Sequence, residues 1–172
     1  MTTKATGFVK AATSDVLAVR SAAAIKDLVR KYGASGFGTS EDYARGIVTV
    51  SFVLNTEDGQ HVPVQIPVRV QRVYDALYAT KAGHNQHVSA AQSELNRRAQ
   101  AERTAWRQLH LLVEANLIAV QLGIMSIGEA FMPHTMVVSD DGRSERMADY
   151  FTRTRGALGP GVRALLAAPA ED

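Results

Sequence analysis

The chain has no cysteine. That absence excludes disulfides, thiolate metal sites and a cysteine nucleophile, and it points to a reducing compartment rather than to secretion. Long hydrophobic runs are missing too. The most apolar stretch, residues 109 to 125, is interrupted by His110, Glu114, Asn116 and Gln121, so no membrane span is expected. The first fifteen residues lack the apolar core of a secretory signal, and the cytoplasm, of a host cell in the reading reached below, is the expected location. Neither sign of charge dominates, the formal net charge being +2. No internal repeat and no low-complexity tract occurs. At 172 residues the expectation is one soluble domain spanning 1–172, with tails at 1–13 and 168–172.

The position of the charges says more than their sum. Residues 60–110 hold Arg69, Arg72, Lys81, Arg97, Arg98, Arg103 and Arg107 against Asp75, Glu94 and Glu102. Four of the five histidines fall in the same stretch. The last third, 111–172, is mildly acidic, with five arginines against eight carboxylates. The cationic segment is therefore central.

Periodicity marks the elements. Ile25, Leu28, Val29 and Tyr32 recur at helical spacing, with Ser21 as the expected N-cap and Gly33 as the closing glycine, which predicts a helix over 22–32. The run from Asp15 to Arg20 reads as a short strand leading into it. Gly33, Gly36 and Gly38 punctuate a stretch without periodicity, read as a loop; a helix before it and a strand after it are the wrong order for a phosphate-binding loop. From Ile47 to Leu54 the residues Val48, Val50, Phe52 and Leu54 alternate with their neighbours, Asn55 to Gly59 supplies a turn, and a return strand runs from His61 to about Arg69. Pro63 and Pro67 lack ladder donors, so the return strand is expected at a sheet edge. A short helix is expected over 70–78, a polar loop over 81–87, and a long helix from Ser89 to about Gly123 whose apolar stripe is Leu95, Ala99, Trp106, Leu109, Val113, Leu117 and Val120. Beyond it come a helix capped by Ser126 with Glu129 in the capping box, a strand at 136–138, a turn at 140–142, a helix over 144–153 and an apolar turn over 162–167. The fold class expected is α+β, an antiparallel hairpin sheet packed with one long amphipathic helix and shorter helices.

Motifs that carry chemistry are scarce. His84 and His87 form a pair without a third ligand at metal-site spacing, and Asp140, Asp141 and Glu145 lack the order of a calcium loop. No nucleophile elbow occurs, and no cofactor is expected; the chain reads as non-enzymatic. What remains is the basic set. Arg69, Arg72, Lys81, Arg97, Arg98, Arg103 and Arg107 are candidate phosphate contacts on a surface between hairpin and helix, with Tyr74, Tyr78 and Phe37 as stacking surfaces. The competing reading is a solvated helix face, because Glu94 and Arg98 stand four apart in the favourable order for an ion pair.

The segments SAAAIKDLVRKYGASGF (21–37) and ERTAWRQLHLLVEANLIAVQLGIMSIGEAFMPHTMV (102–137), with the turn DDGRS (140–144), resemble a family of small phage and prophage proteins found among replication and recombination genes. The order of hairpin then long helix is also similar to the core of single-strand annealing proteins. These resemblances imply single-stranded nucleic acid as the ligand, a homo-oligomer as the working form and a role in recombination. The alternatives are an adaptor or inhibitor that binds a host protein through the edge strand or the apolar helix face, and a structural subunit of a phage particle.

Overall fold

The computed structural model describes residues 17–56, 59–78, 90–139 and 141–154. The tails expected at 1–13 and 168–172, the loop at 81–87 and the turn at 162–167 lie outside them. The elements in chain order are α1 (Ala18–Lys31), β1 (Gly36–Asp42), β2 (Ile47–Asn55), β3 (His61–Arg69), α2 (Val70–Tyr78), α3 (Ala90–Gln121), α4 (Ile127–Phe131), a 3-10 turn (Met132–His134), β4 (Met136–Val138), β5 (Ser144–Arg146) and α5 (Met147–Thr154). Strands β1, β2 and β3 form one antiparallel sheet in that order, and β4 and β5 form a separate two-stranded ribbon. The class is α+β.

The core lies on one face of the larger sheet. Strand β2 contributes Val48, Val50, Phe52 and Leu54, and β3 contributes Val64 and Ile66, alternate residues that the pleat puts on one side. Against them pack Ile25 and Val29 from α1, and Ala105, Trp106, Leu109, Val113 and Leu117 from α3. Phe131 of α4 closes one end of the core, edge-on to Phe52 with ring centroids 5.6 Å apart. The register Ile47↔Arg69 through Asn55↔His61 confirms the hairpin.

Helix α1 begins earlier than its periodicity predicts. Leu17 is the N-cap and Ser21 sits a turn inside, buried, with its hydroxyl unpartnered among the described residues. The packed face continues backwards through Ala22 and Ala18, small residues that carry little periodic signal, and so the strand expected over 15–20 is helical from Ala18 onwards. Its end is as expected. Gly33 adopts φ +80°, the Gly33 N–H donates to Arg30 C=O and the Ala34 N–H to Val29 C=O, both at 3.0 Å, which is a Schellman closure. Gly123 closes α3 in the same way, with φ +68° and bonds from Gly123 N–H to Val120 C=O and from Ile124 N–H to Ala119 C=O.

The glycine-rich stretch expected as a loop is instead strand β1. It pairs with β2 from Gly36↔Val53 to Asp42↔Ile47. This edge strand is held by backbone hydrogen bonds and buries little beyond half of Phe37, so no apolar alternation was available to mark it. Strand β3 forms the other edge. Pro63 faces Val53 and Pro67 faces Thr49 in the register, and because proline has no N–H both pairs must be non-hydrogen-bonded ones. An isolated bridge from Val64 to Thr135 covers part of this edge.

Two further expectations change. Leu95 is 61 % exposed and Ala99 is exposed, whereas Ala101, Thr104 and Ala105 are buried, so the inner stripe of α3 turns around the helix instead of running straight. Farther along, Leu112, Ile118 and Leu122, apolar residues outside that stripe, lie outward. The helix expected over 144–153 splits, because Ser144–Arg146 pairs with Met136–Val138 before α5 begins at Met147. Ser126 caps α4 with Glu129 in a complete capping box, as its spacing implied.

Candidate anion-binding site

Strand β3 runs into α2 without a loop. Arg69 is the last strand residue, Val70 the first helical one, and the Val70 N–H donates to Gly46 C=O at 2.8 Å, which ties the junction to the β1–β2 turn. Arg72 then projects from the first turn of α2. Both arginines line a cavity of about 620 Å³, together with Ile47, Pro67, Val68, Val73, Ala76, Gln108 and Arg146. Three guanidinium-bearing side chains thus border one recess, and no carboxylate lines it among the described residues.

The three differ in what holds them. Arg69 and Arg72 are exposed, and their guanidinium groups make no ion pair or hydrogen bond among the described residues. Arg146, at the end of β5, is 22 % exposed and forks onto Asp149, Nε to Oδ2 and an Nη to Oδ1, both at 2.8 Å. Only two cations of the recess are unneutralised.

The other arginines of the central segment are engaged elsewhere. Arg98 pairs with Glu94 at 2.9 Å, the i, i+4 contact its spacing implied. Arg97 lies over the Tyr78 ring, 5.6 Å from its centroid. Arg103 donates to Gln100 Oε1 at 2.6 Å, and its Nε is buried without a partner among the described residues. Arg107 contacts His110 Nδ1 at 3.2 Å. Lys81 lies outside the described residues. Of the candidate set of seven the recess brings together Arg69 and Arg72, and the structure adds Arg146. Strand β5 approaches α2 only through the fold, and no local signal at Arg146 announces it.

Tyr74 and Tyr78 stand together on α2, ring centroids 5.1 Å apart and tilted by 54°. The Tyr74 hydroxyl donates to Glu94 Oε2 at 2.7 Å, which raises the phenol pKa and, with Arg98, lowers that of Glu94. Phe37 does not join them. It packs half-buried on the sheet's core side, in register with Phe52. A second cleft of about 580 Å³ on the other side of α2 is lined by Tyr43, Arg45, Tyr74, Leu95, Arg98 and Glu102 among others. Its cations are matched: Arg45 lies 3.7 Å from Asp42, and Arg98 pairs with Glu94. Of these two clefts, the first is the one bordered by cations unpaired among the described residues.

Among the described residues no group of three or more His, Asp or Glu side chains is placed to hold a metal ion. His84 and His87 lie outside them. No helix of the described residues is long and apolar enough to cross a membrane. His134 is half-buried with its Nδ1 unpartnered among the described residues, and burial, with Arg146 nearby, lowers its pKa. A histidine whose pKa falls on folding binds fewer protons in the native state. Its neutral form carries no penalty above the unfolded value of about 6.5, and stability is lost as pH falls below that value towards the folded pKa. Urea midpoints measured from pH 7.5 to 5.5 are expected to fall on acidification, with a shallower fall in His134→Gln; equal slopes would remove His134 from the account.

No protein-family model, no curated protein and no solved structure matches this chain.

Proposed function

We propose that this protein binds single-stranded nucleic acid on the face where β3 meets α2. The supporting observation is the recess bordered by Arg69 and Arg72, two guanidinium groups unpaired among the described residues, in a cavity without a lining carboxylate. Unpaired cations beside an apolar wall are suited to phosphate. In this reading the protein is non-enzymatic and works as an oligomer in phage replication or recombination, where charge neutralisation would let strands approach and anneal. Titration of a labelled oligonucleotide should show binding at low ionic strength, with log K falling linearly in log salt by about 0.7 per phosphate contacted. An absence of binding at low salt would overturn the proposal.

A second reading, an adaptor for a host protein, is favoured by a different observation. Leu112, Ile118, Leu122 and Ile124 are exposed along the second half of α3 and just beyond it, an apolar surface of the sort that partners cover. Co-purification of one host protein, unaffected by changes at Arg69 and Arg72, would support it over the first.

A further inference from the structure

The recess at the β3–α2 junction is shared by five elements. Its walls come from β2, β3, α2, α3 and β5, through Ile47, Arg69, Arg72, Gln108 and Arg146 among others. Charge separates two kinds of phosphate ligand. An internal phosphodiester carries one negative charge and two free oxygens, whereas a terminal monoester carries nearly two charges at neutral pH and offers three acceptor oxygens. Three acceptor oxygens and the higher charge let one terminal phosphate engage all three guanidinium groups that line the recess.

Arg146 adds a device. Its fork is occupied by Asp149 at 2.8 Å on both arms, the geometry in which arginine also grips phosphate. Asp149 therefore stands as an internal competitor for the third cation of the recess.

Resting on the nucleic-acid reading above, we propose that this recess is a terminal-phosphate site. It takes the monoester end of a single strand, with Arg69 and Arg72 as first partners and Arg146 released to it from Asp149.

The test compares one oligonucleotide sequence in three forms, 5′-phosphorylated, 3′-phosphorylated and without a terminal phosphate, bound to the full chain at constant ionic strength. One phosphorylated form is expected to bind roughly tenfold tighter than the unphosphorylated strand, and which one it is identifies the end recognised. Millimolar inorganic phosphate should erase that advantage. Asp149→Asn should enlarge it by freeing Arg146. Arg146→Gln should diminish it, and serves if the Asp149 variant does not fold. Equal binding of all three forms, with the salt dependence intact, would overturn the terminal site and leave the nucleic-acid reading standing. Failure of every form to bind at low salt would overturn both.

Discussion

Changing Arg69 and Arg72 together to alanine is expected to weaken binding of a single-stranded oligonucleotide by about 70-fold at 0.05 M salt and by about tenfold at 0.2 M. The estimate follows from counterion release. Each phosphate contact to a single strand contributes a slope of about 0.7 in log K against log salt, so two contacts contribute about 1.4, taken to vanish near 1 M. The salt slope itself should therefore fall by about 1.4, a quantity that does not depend on the absolute affinity. Both side chains are exposed and unpaired among the described residues, so the double variant should stay folded, its stability changed by about 0.5 kcal/mol or less per site. An unchanged slope in a folded double variant would place the phosphate contacts elsewhere. Arg98→Ala is the control. It removes a cation already paired to Glu94 and should alter the slope less.

The second large effect concerns stability. Phe131 is fully buried at the end of the core, edge-on to Phe52, and Phe131→Ala is expected to cost about 3–5 kcal/mol by lost burial and by the cavity left behind. For a chain of this size that corresponds to a fall of roughly 10 °C in Tm. Phe131→Leu, which keeps most of the volume, should cost far less. Chemical denaturation of the three proteins decides the matter, and a loss below about 1 kcal/mol in the alanine variant would mean that the segment after α3 is not anchored on the main core. Two other contacts support the same attachment: Asn116 Nδ2 donates to Ala130 C=O at 3.1 Å, and Val64 bridges to Thr135.

Different forces decided which elements could be read from residue order. The hairpin was readable because β-branched residues alternate over two full strands, a signal that burial on one face imposes. The helix closures at Gly33 and Gly123 were readable because only a left-handed residue completes that geometry cheaply. Strand β1 was not, since an edge strand can be held by main-chain pairing alone and its side chains Gly36, Gly38 and Ser40 need record nothing of it. The start of α1 was missed because alanine packs against a core without a strong apolar signature, which left Ser21 as the apparent cap.

The candidate site divides in the same manner. Arg69 and Arg72 could be picked out because they flank a strand end that the hairpin pattern located. The four arginines of α3 could not be sorted by spacing alone. Glu94 does hold Arg98 at the expected distance of four residues, but what Arg97 meets is a ring on α2, a contact across elements that carries no local mark. Arg146 was invisible for that reason too, lying 74 positions beyond Arg72 in the chain yet on the same recess.

The loop-free passage from β3 to α2 makes the recess a matter of phase. A strand repeats every two residues and an α-helix every 3.6, and at the Arg69–Val70 bond one rhythm hands over to the other without slack. One glycine inserted at that bond would turn everything after it by about 100° relative to the strand. Arg72 would swing off the cavity while Arg69, held in register against Ile47, stayed where it is. The separation and mutual orientation of the two cations are thus set by the geometry of a single joint, and evolution can retune the ligand by shifting that joint without touching either arginine.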